Sequence, residues 1–153
     1  DRLSSAGYIQ YEISNFAQPG FQSKHNSSYW HDIPYIGIGA SAHSYDIKTR
    51  HWNISDITKY ISGIESCILP FEEEFIDKNT KYDDLITTAM RTREGIDTEK
   101  LKADFGNELY TYFMKEAAKH INNGTLQNVN GRVSLTRKGL FISDDIMSDL
   151  MHV

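Results

Sequence analysis

The stretch "NELYTYFMKEAAKHINNGTLQNVNGRVSL", residues 107–135, decides the fold of the later half of the chain. Leu109, Tyr112, Phe113, Ala117 and Ile121 recur at steps of three and four, which puts them on one side of a helix over 107–124. Asn130-Gly131 then falls between two short β-like runs. Both central residues of the favoured two-residue hairpin turn need positive φ, and Asn-Gly reaches it at least cost.

Working outward, "KYDDLITTAMRTREG" (81–95) carries Leu85, Ile86, Ala89 and Met90 at helical spacing, with Gly95 as the expected stop. "DTEKLKADFG" (97–106) starts with an Asp97-x-x-Lys100 pattern, is too short for more than two turns, and stops at Gly106. "TRKGLFISDDIMSDLM" (136–151) closes with a helix whose apolar face is expected to hold Leu140, Phe141, Ile146 and Leu150. Three helices, a hairpin and a helix give a winged-helix-like order. Its core is expected around Leu85, Met90, Leu101, Phe105, Leu109, Phe113, Ile121, Leu135, Leu140 and Ile146.

Before Asn79 the texture differs. "DRLSSAG" reads as a helix end stopped by Gly7, and "YIQYEIS" (8–14) as a strand. Pro19-Gly20 marks a turn in the loop 15–23, and "KHNSSYW" (24–30) reads as a short helix capped by Ser23. "YIGIGAS" (35–41) reads as a buried strand, and 43–53 as holding a further short strand. Residues 55–66 read as a helix with Ser55 as cap, and 69–77 as a connector with an acidic tip. The predicted class is α+β. A chain opening on a helix end followed by a strand reads as cut from a larger αβ protein.

Composition narrows the function. Among 153 residues 39% are hydrophobic and 24% charged, the profile of an ordinary globular chain, with no apolar run of membrane-spanning length. The formal charge of −5 argues against a polyphosphate partner. Residues 79–153 hold ten basic against eleven acidic side chains, and the helix at 107–120 has no arginine and a single amide, at its first residue, so nucleic acid is not expected. A lone cysteine, Cys67, predicts a reducing, cytoplasmic setting and cannot hold an iron–sulfur cluster.

The chemistry concentrates at "SKHNSSYWHDIPYIGIGASAHSY", residues 23–45. On a helix His25 and Tyr29 share a face, as do Asn26 and Trp30. A neutral imidazole is a good axial ligand for haem iron, and flat rings pack on a porphyrin. The same residues could equally form a packed aromatic corner. Gly37 and Gly39 let backbone approach a ligand or a neighbouring segment. With Ala42 they fit a loose G-x-G-x-x-A string, but the context of a dinucleotide site is missing. His25, His31, His43 and His51 lie too far apart in sequence for a dedicated zinc pattern. Arg91 and Arg93 could meet a carboxylate or phosphate, or simply sit near a helix end.

These motifs carry a resemblance. "AGYIQYEISNFAQPGFQSKHNSSYW", then "YIGIGASAHSY", "RHWN", "MRTREGID" and "LTRKG" are similar, nearly position for position, to the later part of the HemW/oxygen-independent coproporphyrinogen III oxidase-like radical S-adenosylmethionine family. Met90 stands where that family usually has Leu, and Asp84 where it usually has Glu. The resemblance implies that residues 1–54 are the last strands and helices of a partial TIM-like barrel. It makes 55–78 a connector with a short helix and 79–153 a HemN-type C-terminal helical domain with a β-hairpin. It implies haem binding by His25, Asn26, Tyr29 and Trp30, with His25 on the iron. Gly37, Ile38, Gly39 and Ala40 would border S-adenosylmethionine. The [4Fe–4S] cysteines of the family are not among these residues, so this segment is not expected to be catalytic alone. The implied role is a haem chaperone that hands haem to accepting proteins. The alternative is part of a coproporphyrinogen III oxidase, a radical oxidoreductase of porphyrin biosynthesis. Unpaired sheet edges lead to an expectation of self-association.

Overall fold

The computed structural model describes residues 2–152. The chain forms two compact units: Asp1–Trp30 with Lys78–Val153, and His31–Asp77. Both mix helix and sheet, in keeping with the α+β expectation.

The first unit opens with α1 (Arg2–Ser5), followed by a two-residue ladder of β1 (Ile9–Gln10) against β2 (Phe16–Ala17) and by α2 (Lys24–Trp30). The strand expected over 8–14 is therefore cut short. At Glu12 the chain leaves β2 and bridges Thr92 instead.

After α2 the unit resumes at α4 (Lys78–Ala89), then β6 (Ile96–Asp97), α5 (Thr98–Asn122), β7 (Leu126–Val129), β8 (Arg132–Leu135), a 3-10 turn (Gly139–Ile142) and α6 (Ser143–Leu150). The strands form an antiparallel sheet in the order β6-β8-β7. Asn130 (φ 53°) and Gly131 (φ 78°) make the positive-φ turn of the β7–β8 hairpin, as the Asn-Gly pair predicts. The turn also starts α5, since the Gly131 carbonyl accepts both the Thr98 amide and hydroxyl at 2.9 Å. Asp97 caps α5 by accepting from the Glu99 and Lys100 amides, each at 3.1 Å. The two helices expected on either side of Gly106 are one element broken by a non-helical glycine (φ 81°, ψ 178°).

The core cluster lies between residues 82 and 150, with Tyr82, Ile86, Met90, Ile96, Leu101, Phe105, Leu109, Phe113, Leu126, Val133, Ile146 and Leu150 all buried. Tyr82 meets Phe105 edge-on at 5.7 Å, and its hydroxyl donates to the Leu150 carbonyl at 2.9 Å. Burial raises its phenol well above the ordinary range. Leu85, Ile121 and Leu135 pack on the rim of this core. Two expectations change. α4 stops at Ala89 rather than Gly95, because residues 91–93 bond to the Tyr11–Ile13 backbone instead of continuing the helix. Phe141 is 85% exposed, because the 3-10 turn rotates it away from the face that carries Ile146 and Leu150.

The second unit is a three-stranded antiparallel sheet, β3 (His43–Tyr45), β4 (Thr49–Asn53) and β5 (Phe71–Phe75), with α3 (Ile57–Glu65) between β4 and β5. Residues 69–77 are thus not a plain connector. Their acidic tip pairs as a strand, and two of its three carboxylates meet a partner on β4: Glu74 lies opposite Arg50, and Glu72 accepts from the Trp52 indole at 3.0 Å. The cap of α3 is Asp56, not Ser55. Asp56 is the residue with extended φ/ψ, and its carboxylate accepts the Lys59 amide at 3.1 Å. The buried strand expected at 35–41 is absent. Tyr35 makes a single bridge to Tyr45, and Ile36 and Ile38 are 86% and 89% exposed. Side-chain bonds to this segment take the place of a ladder. Among the described residues no helix is long and apolar enough to cross a membrane.

Candidate functional site

α2 is built by its serines. The Ser23 hydroxyl accepts the Asn26 amide at 3.2 Å, and Ser27 and Ser28 donate back to the carbonyls of Ser23 and Lys24. The helix presents two faces one turn apart. Asn26 and Trp30 are half-buried, with the Trp30 ring 6.0 Å from Tyr11. His25 and Tyr29 face water: their rings meet edge-on at 5.2 Å, and the Tyr29 hydroxyl lies 3.2 Å from His25 Nε2. An exposed imidazole flanked by an exposed phenol is a donor set that suits the axial position of a haem iron.

The neighbouring "YEIS" and "MRTREG" segments form one structural unit, a role for Glu12 and Arg91 that sequence reading missed. Glu12 is 3% exposed, and its carboxylate accepts four bonds. Three come from the Ser14 amide (3.0 Å), the Ser14 hydroxyl (2.9 Å) and Asn15 Nδ2 (2.8 Å), and the fourth from Arg91 Nε (3.1 Å). Burial alone would raise its pKa, but the two Ser14 bonds and the Arg91 guanidinium outweigh it and hold the carboxyl below the usual Glu value. Backbone bonds from Ile13 to Arg91 (2.9 Å) and from Arg93 to Tyr11 (3.1 Å) complete the tie. A cleft of about 580 Å³ beside it is lined by Tyr8, Gln10, Glu12, Arg91, Arg93 and Gln127, among others.

Gly37, Ile38, Gly39 and Ala40 lie in the second unit, in a loop held by two buried polar residues from the "AHSY" and "RHWN" motifs. Ser44 Oγ accepts the Gly37 amide at 2.9 Å, and Asn53 Nδ2 donates to the Gly39 carbonyl at 2.9 Å. The Tyr60 hydroxyl accepts the Gly39 amide at 3.1 Å. A Cβ at Gly37 would run into the His43 carbonyl, so this glycine admits a neighbouring strand. Gly39 (φ 114°) has open space on that side. His43 packs at 5.9 Å from Trp52 and His51 at 5.2 Å from Phe71.

Residues 76–142 match the family model described as the HemN C-terminal domain. Across almost its whole length the chain is 29% identical to the heme chaperone HemW of Lactococcus lactis (99% of this chain, 40% of that protein). Over a shorter stretch it is 56% identical to the heme chaperone HemW of Escherichia coli (46% of this chain, 22% of that protein). The chain is homologous to HemW. It spans 40% and 38% of the length of the HemW proteins of L. lactis and Bacillus subtilis. The fold agrees: the E. coli coproporphyrinogen III oxidase HemN, a radical SAM enzyme, superimposes with a TM-score of 0.73 at 15% identity, over 98% of this chain and 38% of that one. The HemN C-terminal domain match falls on α4 through the 3-10 turn, and the HemW likeness extends over α2 and the glycine loop as well.

Proposed function

We propose that the chain serves as the C-terminal part of a HemW-type radical SAM protein, in which α2 binds haem and His25 ligates the iron. The observation that carries this reading is the outward face of α2, where an exposed His25 imidazole sits one turn from an exposed Tyr29 ring, within a chain homologous to heme chaperones. Trp30 anchors the helix from its other face, against Tyr11. Haem iron supplies an open axial coordination position; the chain supplies the imidazole and aromatic surface for the macrocycle. Gly37, Ile38, Gly39 and Ala40 are proposed to border S-adenosylmethionine, with the open side of Gly39 and the exposed Ile38 as the contact. The [4Fe–4S] cluster would be held elsewhere in the full-length protein, since this sequence has one cysteine.

In the same reading, residues 1–54 complete a TIM-like barrel, 55–78 connect, and 79–153 form a winged-helix-like cover. The helix–strand–bent helix–hairpin order supports that last element. Haem-accepting proteins are the proposed partners and the cytoplasm the proposed location. The likeness to HemN keeps a second reading, a coproporphyrinogen dehydrogenase that decarboxylates propionates. Haemin titration of the full protein separates them. His25→Ala is expected to weaken binding and alter the Soret band while iron–sulfur content is kept, with His31→Ala, His43→Ala and His51→Ala as controls. An unchanged spectrum and affinity in His25→Ala, or anaerobic turnover of coproporphyrinogen III, would overturn the chaperone reading.

A further inference from the structure

We propose that the Tyr29 hydroxyl gates His25, masking the Nε2 atom until haem arrives; this rests on the reading of His25 as the iron ligand. A neutral imidazole has one N–H and one lone pair. Tyr29 Oη lies 3.2 Å from Nε2, while Nδ1 makes no hydrogen bond among the described residues. If the phenol donates, it occupies the Nε2 lone pair. If Nε2–H donates, the lone pair sits on Nδ1. In the first tautomer Nε2 offers iron nothing until Oη turns away; in the second the proton must also pass to Nδ1, through solvent, before Nε2 can ligate.

Nδ1 is a poor substitute. It adjoins the Cβ and the helix backbone, where a flat macrocycle would collide with the chain, whereas Nε2 points away from it. Both side chains are exposed, with Tyr29 at 43%. The edge-on ring contact at 5.2 Å does not depend on the hydroxyl. Binding haem therefore breaks the Oη···Nε2 hydrogen bond, and release of haem restores it. That suits a site which must give its ligand up.

Tyr29→Phe removes the hydroxyl and keeps the ring. The full protein and its Tyr29→Phe and His25→Ala variants are titrated with haemin and followed at the Soret band. Selective [15N]His labelling of the haem-free protein reports the state of Nε2. Tyr29→Phe is expected to bind haemin about two- to tenfold tighter, the size of one net hydrogen bond. It is also expected to shift the His25 Nε2 resonance. Equal or weaker binding in Tyr29→Phe, with His25→Ala defective, overturns the gate and leaves the ligand assignment standing. An Nε2 resonance that Tyr29→Phe does not move overturns the hydrogen bond itself. A His25→Ala variant with wild-type spectrum and affinity removes the ligand assignment, and the gate with it.

Discussion

Glu12 illustrates how a motif that looks functional can be structural. It stands in "YEIS", in the same unit as α2, yet all its bonding capacity is spent inward, on Ser14, Asn15 and Arg91. Its pKa is held down in the folded state, so its contribution is fully present above the unfolded value and is lost as pH falls through the lower folded value. Glu12→Gln is expected to lower stability at neutral pH by about 1–3 kcal/mol, the loss of charge-assisted bonds to a buried acceptor. The gap from wild type should close as pH drops below the ordinary Glu range. Denaturant melts at a series of pH values would show this, and a gap that stays constant down to the most acidic point would refute the assignment.

At the scale of elements, what was legible in the sequence depended on whether the signal was local. The Asn130-Gly131 turn, the Asp97 start of α5 and the break at Gly106 each follow from the backbone preferences of one or two residues, and each is where the sequence put it. The Phe71–Phe75 strand and the loop at 35–41 depend on partners distant in sequence: Arg50 and Trp52 draw the glutamates into a ladder, while Ser44 and Asn53 hold the glycines out of one. Of these contacts only Gly37–Ser44 fits within a window of ten residues; Gly39–Asn53 and the pairs of Arg50 with Glu74 and Trp52 with Glu72 do not. At the candidate site the helical pairing of His25 with Tyr29 was readable from spacing, but the mutual tie of "YEIS" and "MRTREG" was not, because it spans 79 residues. The local logic predicts the cost of changing the turn. Gly131→Ala has room for its methyl, with Thr98 Oγ1 at 3.5 Å, so its penalty is that of positive φ, about 1–2 kcal/mol. Asn130→Gly should be tolerated. Thermal melts of the two variants that came out equal would show that the turn is not held in the left-handed region.

For the whole molecule, the distribution of burial separates the two units. Every member of the buried hydrophobic cluster lies between Tyr82 and Leu150. In His31–Asp77 the buried residues are Ser44, Thr49 and Asn53, all polar, while Ile36, Ile38, Ile57, Ile61, Ile64, Phe71 and Phe75 are exposed. Apolar burial is the main favourable term in folding, and polar burial at best offsets its own desolvation. A polypeptide of residues 76–153 is therefore expected to melt in one cooperative transition, somewhat below the full chain because it lacks the bonds from Glu12 to Arg91. A polypeptide of residues 31–77 is expected to show no cooperative transition as a monomer. Its exposed isoleucines and the outer edges of β3 and β5 favour association with another chain, which is where the expected self-association would arise. Calorimetry together with sedimentation of the two polypeptides decides the matter. A cooperative melt from monomeric 31–77 would mean that its sheet is stabilised by cross-strand pairs alone, and a broad, non-cooperative melt from 76–153 would mean that its core needs residues 1–30.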